Sequence, residues 1–214
     1  MSEMSIESLR TPEFDLDANH LCLDFANTLD NRFQAVPIEL LNSYRDLVAW
    51  NWQEGTLTDE EAQRLLDTAR RNPEEAVRAL HEAIEVREAI FRIFQAVVEG
   101  RPPESADLLL LNAALSRAMV HACVAPRGNA FAWGWVPGGD APDRALWPVV
   151  RAAADLLTSP ELHCVRMCAA DDCAWLFLDT SKNHSRRWCN MKTCGNRAKV
   201  RRHYAQQKKY THAS

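Results

Sequence analysis

Four cysteines near the C-terminus repeat one spacing, Cys168-x4-Cys173 and Cys189-x4-Cys194, with fifteen residues between the pairs. Thiolates in two such turns can close a tetrahedral zinc site, each turn giving two sulfurs. Four sulfur ligands leave no open position, so the chemistry is structural rather than catalytic. Cys164 is an alternative to Cys168, but it sits on the apolar side of LHCVRM and fits a strand. Cys22 and Cys123 lie far upstream in strand-like patterns and read as small buried residues.

The same segment is basic. Residues 164–214 carry 11 Lys and Arg against 3 Asp, a net of +8, whereas residues 1–163 carry 14 Arg against 26 Asp and Glu, a net of −12. A cationic tail on an acidic body points to a polyanion partner. The run NRAKVRRHYAQQKK has no helix breaker and follows the last cysteine pair. Arg197 and Arg201 fall on one face of that helix, and Lys199, Arg202 and His203 widen it. Lys182, Arg186 and Arg187 come from the preceding loop and strand. A rigid helix with outward Arg suits the major groove of duplex DNA, where Arg pairs with guanine and Lys meets phosphate. At least two of these arginines are expected to bond helix carbonyls or the acidic body instead. Val200 and Tyr204 form a stripe expected to pack on the hairpin.

Those ligands need turns, a hairpin and a helix start to position them. AWLFLD reads as a strand, SKNHSR as a loop and RRWC as the return strand, with Trp175 and Trp188 in the small core. Turn, hairpin, turn, helix is a treble-clef-like order. A segment this short has too little apolar filling to fold without the metal. Upstream, LDANHLCLDFA alternates around Leu21, Leu23 and Phe25 and reads as a half-buried strand. Four helical stretches follow, ending near Trp52, Arg71, Glu99 and Met119. Thr58 caps the second, and Asn72-Pro73 opens the third. A hairpin is expected near 120–125 and 130–136, then a last helix opened by Pro142 or Asp143 and ended by Ser159-Pro160. The fold class is α+β: a mainly helical N-terminal domain with a few short strands over 1–162, then a small zinc finger over 163–214.

FLDTSKNHSRRWCNMKTCGNRAKVRRHY resembles the CGNR zinc finger, whose tetrapeptide stands at 194–197. HLCLDFANTLDNR resembles the start of the ABATE domain that precedes this finger. The resemblance covers nearly the whole chain. It implies a treble-clef finger on Cys168, Cys173, Cys189 and Cys194, binding of DNA, and an α+β N-terminal domain that takes a small ligand. The family more often has Arg where Lys182 stands and Gly where His184 stands.

The chain is therefore expected to be a transcription regulator with one structural Zn2+, double-stranded DNA as partner and a body that binds an unknown ligand or forms a homodimer. The alternative is a zinc-dependent protein- or RNA-interaction module. Candidate ligand residues are His20, Asp24, Asn27, Thr28 and Arg32, which put hydrogen-bonding groups around one strand end. His184 and Asp179 can be imagined as base and partner, but no enzyme activity is expected, because four Cys close the zinc site and no second His/Asp/Glu cluster has metal spacing. Without an apolar signal core or a membrane-length apolar run, a cytoplasmic location is expected.

Overall fold

The computed structural model describes residues 9–136, 141–201 and 204. Among them, a short helix α1 (Leu21–Ala26) lies at the centre, surrounded by α4 (Pro73–Val98), α6 (Trp147–Leu157) and the strand β6 (Leu176–Leu178). Around this core stand α2 (Tyr44–Gln53), α3 (Asp59–Arg71) and α5 (Ser105–Met119). Three antiparallel two-stranded ribbons complete the fold: β1 (Leu29–Asp30) with β2 (Ile38–Glu39), β3 (Ala122–Arg127) with β4 (Ala130–Trp135), and β5 (Val165–Met167) with β6.

Local chemistry sets most helix ends. The Ser43 side chain accepts from Asp46 N at the start of α2. Thr58 and Glu61 form a reciprocal capping box on α3. Asn72 and Pro73 open α4, and Gly100, with φ +66°, follows its end. Pro148 sits in the first turn of α6, where no helix hydrogen bond is lost.

Two expectations fail here. The segment 21–26 is helix, not strand. Alternation misleads because Cys22, Leu23, Asp24, Phe25 and Ala26 are all buried, so both periods fit equally well. The Asp24 carboxylate turns back to accept from Ala18 N at 2.9 Å, which makes a polar residue tolerable inside. The expected return strand RRWC is also absent. The partner of β6 is β5, with Val165 opposite Leu178 and Met167 opposite Leu176. Residues 186–189 run beside it as irregular chain, held through Ala169 N to Arg187 O at 2.9 Å.

The finger and the body share one buried cluster. The Asn27 side chain donates to Leu176 O and accepts from Leu176 N, both at 2.9 Å, completing β6 as a neighbouring strand would. Leu178 N donates to Ala18 O at 2.8 Å. Buried Arg87 ties α4 to β2 through Glu39 at 2.6 and 2.7 Å and reaches Thr28 Oγ1 at 3.2 Å.

Candidate metal centre and the surrounding finger

The ligand atoms of Cys168, Cys173, Cys189 and Cys194 all lie within 4.8 Å of one another, and all four residues are buried. The sulfurs of Cys173 and Cys189 are 3.7 Å apart, and those of Cys189 and Cys194 are 3.6 Å apart. Zn–S bonds of about 2.3 Å in a tetrahedron give S–S edges of about 3.8 Å. The cluster thus has the dimensions of a ZnS4 site. Cys164 stays outside it, its sulfur 3.4 Å from His163 Nε2 and 3.5 Å from His184 Nδ1.

Main-chain bonds hold each ligand pair. Cys168 N donates to Trp175 O at 2.8 Å, and Cys173 N closes a turn on Ala170 O at 3.0 Å. Cys189 precedes Asn190, whose side chain caps Lys192 N at 2.7 Å. Cys194 lies within a π-turn, Met191–Gly195, that continues as α-helix over 196–201. Both sulfurs of this pair therefore sit at a helix start, where free N–H groups favour negative charge.

The donor set also argues for a dication. Hydrogen bonding to Cys173 and Cys189 draws the Cys168 thiol well below its ordinary value. Hydrogen bonding to that same sulfur pushes Cys173 and Cys189 up. Four buried thiols so close together cannot all ionise alone. One zinc ion held by them would let all four do so, and would supply a cross-link between the knuckle 168–173 and the helix start.

The tetrapeptide at 194–197 has local reasons. Cys194 is a ligand. A Cβ on Gly195 would lie 2.8 Å from Met191 Sδ, the end of an exposed flexible side chain that would have to move, and 3.3 Å from Trp188 Cδ1, a tight contact. Asn196 Nδ2 donates to Lys192 O at 3.0 Å. Arg197 Nη2 donates to Cys194 Sγ at 3.1 Å.

The basic residues divide. Lys182, Arg187 and Lys199 are exposed, with Arg187 over the Trp188 ring at 5.4 Å. Arg201 pairs with Asp172 at 2.8 Å and Asp171 at 4.0 Å, and Arg197 with Asp172 at 3.6 Å. Arg186 turns inward. It donates to Asp17 O at 3.1 Å, Trp188 O at 2.9 Å and Cys189 O, and covers the Phe177 ring at 4.5 Å. Arg202 and His203 lie outside the described residues. Val200 and Tyr204 are 53% and 61% exposed, so the expected stripe does not pack on the hairpin. Asp171 and Asp172 carry a sequence signal of their own: apart from Asp179 they are the sole acids in the basic segment.

The five candidate ligand residues are spent internally. Asp24 accepts from Ala18 N, and burial pushes its carboxyl up to about 6. Asn27 serves β6, and Thr28 donates to Phe25 O at 2.8 Å. Arg32 pairs with Glu88 at 2.5 Å and donates to Ala26 O at 2.7 Å. His20 Nδ1 lies 3.2 Å from Cys22 Sγ, and burial lowers its pKa. Asp24, Asn27 and Thr28 line a void of about 10 Å³, room for one water. His184 Nδ1 meets the main-chain oxygen of Asp179 at 3.0 Å. The Asp179 carboxylate is occupied by Ser181 N, Ser181 Oγ and Arg186 N.

A much larger cleft, of about 730 Å³, opens between finger and body beside the cysteines. Asp15, Asp17 and Asp30 line it from the body, with Trp175 beside them. Asp172, Lys192, Arg197 and Arg201 line it from the finger.

No curated protein matches the chain. Two family models do: the ABATE model, described as "Putative stress-induced transcription regulator", over residues 19–160, and the CGNR zinc finger over 165–207. The chain belongs to the ABATE family and carries a C-terminal CGNR zinc finger whose four clustered cysteines suit one structural zinc ion.

Proposed function

We propose that this protein is a transcription regulator that binds double-stranded DNA through the finger, with the body sensing a small ligand or forming a homodimer. One observation carries the reading. The helix that starts in the zinc cluster presents Arg197 and Arg201 on one face and exposes Lys199 as well, in a segment of net +8 beside a body of net −12. Lys182 and Arg187 extend that exposed surface, and Arg186 acts from behind it by holding the loop. Phosphate would exchange with Asp172 at Arg197 and Arg201, and the release of counterions would add to affinity.

The test is duplex binding by the zinc-loaded protein at several salt concentrations. A log–log slope of about −0.9 per phosphate contact is expected. Absence of a salt-sensitive complex overturns the reading. The alternative, a zinc-dependent protein- or RNA-interaction module, has less support: Trp175 and Trp188, the candidate stacking rings, both pack against the core. Replacing Lys199 and Arg201 with Glu separates the two, by lost DNA binding or by altered self-association. We assign no catalytic role. No described helix is long and apolar enough to cross a membrane. A reducing cytoplasm, which keeps thiols free for metal, is the proposed location.

A further inference from the structure

We propose that the cleft between finger and body binds a small zwitterion of the amino-acid class, its ammonium toward Asp15 and Asp30 and its anionic group toward Lys192 and Arg197. The inference deepens the ligand half of the proposed function and does not depend on DNA binding.

The cleft has the size and the place of a small-molecule site. Its volume of about 730 Å³ is far beyond the space one metal ion fills. Such sites are typically about 300–1,000 Å³ and favour junctions between structural units. Cys173, Cys189 and Cys194 of the sulfur cluster are among its lining residues, so the remaining walls decide what fits.

Those walls carry opposite charge. On the body side, Asp15, Asp17 and Asp30 converge from two segments, and among the described residues none forms an ion pair. Asp17 is committed in part, since its carboxylate accepts from Asn190. Asp30 Oδ1 accepts from Asn31 N at 2.7 Å and from Trp175 Nε1 at 2.8 Å, which fixes the indole beside it. Asp15 makes no hydrogen bond among the described residues. Partial burial, then Asp17, Asp30 and Glu13, hold its carboxyl above the ordinary value. An ammonium placed there would relieve that repulsion, and the Trp175 ring offers a cation–π face.

The finger side offers cations. Lys192 has no side-chain partner among the described residues, and Arg197 and Arg201 share Asp172. Four carboxylates and three cations nearly balance across the opening. A bare amine would meet Lys192 and the two arginines, and a bare carboxylate would meet three aspartates. A ligand with both charges satisfies both walls.

The test uses zinc-loaded full-length protein, isothermal titration and tryptophan fluorescence. The probes are the twenty L-amino acids singly, their N-acetyl forms, and tyramine, histamine and agmatine as amines without the carboxylate. At least one amino acid should bind at one per chain, with its N-acetyl or amine analogue at least tenfold weaker. Asp15→Asn and Lys192→Gln should each weaken it at least tenfold while zinc content stays at one per chain. Neither side chain supports the fold through a hydrogen bond, so both variants should remain folded. The proposal is overturned if no amino acid binds, if the amine binds as well as the amino acid, or if Asp15→Asn leaves affinity unchanged.

Discussion

Arg197 Nη2 lies 3.1 Å from Cys194 Sγ, so the arginine of the tetrapeptide serves the metal centre before it serves any nucleic acid. A zinc ion with four thiolates carries net negative charge, and a donated N–H from a guanidinium lowers the basicity of the sulfur it meets. The pairing acts in both directions, since contact with Cys194 raises the Arg197 pKa. Arg197→Ala should therefore loosen zinc about 10–100-fold in chelator competition. Arg197→Lys should recover part of that loss by charge alone, without the planar fork. Zinc release equal to that of the parent protein in both variants would leave Arg197 with only an outward role.

Asp172 holds both helix arginines, Arg201 at 2.8 Å and Arg197 at 3.6 Å. These cations are about half exposed, so the pairs contribute at most about 1 kcal/mol. Asp172→Asn should free the cations and tighten duplex DNA binding by up to about fivefold at low salt. The gain should vanish near 0.5 M salt, where screening equalises the two proteins. Fluorescence anisotropy with a labelled duplex measures it. Weaker binding by the variant would mean that Asp172 orients the arginines rather than competing for them.

Asn27 joins the two family regions. It is buried, and its amide replaces a missing strand on β6 by meeting both polar groups of Leu176. Asn27→Ala would strand that N–H and C=O, at about 1–3 kcal/mol for each buried group left unpaired. Asn27→Asp would keep the acceptor and lose the donor, so it should cost less at acid pH than at neutral pH. Thermal unfolding of zinc-loaded protein should show Asn27→Ala lowered by several degrees. An unchanged midpoint would mean that water replaces the amide without loss.

What could be read from residue order was local. Thr58 with Glu61, Asn72 with Pro73, and Gly100 announce helix ends because each acts within one turn. The doubled cysteine spacing announced the cluster because each pair closes within its own loop. What could not be read depends on distant chain. Five of the six residues of α1 are buried, from Cys22 to Ala26, so their alternation carries no information. Strand β6 finds β5 and Asn27, not 186–189, and Asn27 lies 149 residues away in sequence, beyond the reach of local pattern. His184 stands where the family more often has glycine, and its φ of 45° supplies the reason: the backbone is left-handed there. Asp15, Asp17 and Asp30 form a wall only once the finger docks, so nothing in their spacing marks a site.

Glu54 gives the fold a pH dependence of its own. Its Oε1 is buried without a partner, and burial, then the nearby Asp24, pushes its carboxyl up to about 8. The folded state thus holds this proton more tightly than the unfolded chain, where the group titrates near its ordinary value of about 4.3. The stabilisation is fully present below that value and is lost as pH rises through about 8. Asp24, raised to about 6, adds a loss of the same sign at lower pH. Zinc binding opposes both, because its thiolates favour higher pH. Melting temperatures at saturating zinc between pH 6.5 and 8.5 should therefore fall with pH in the parent protein. Glu54→Gln keeps the shape and cannot ionise, so its slope should be flatter and its midpoint at pH 8.5 higher. A variant with the parent's slope would show that water reaches Glu54 and solvates its charge.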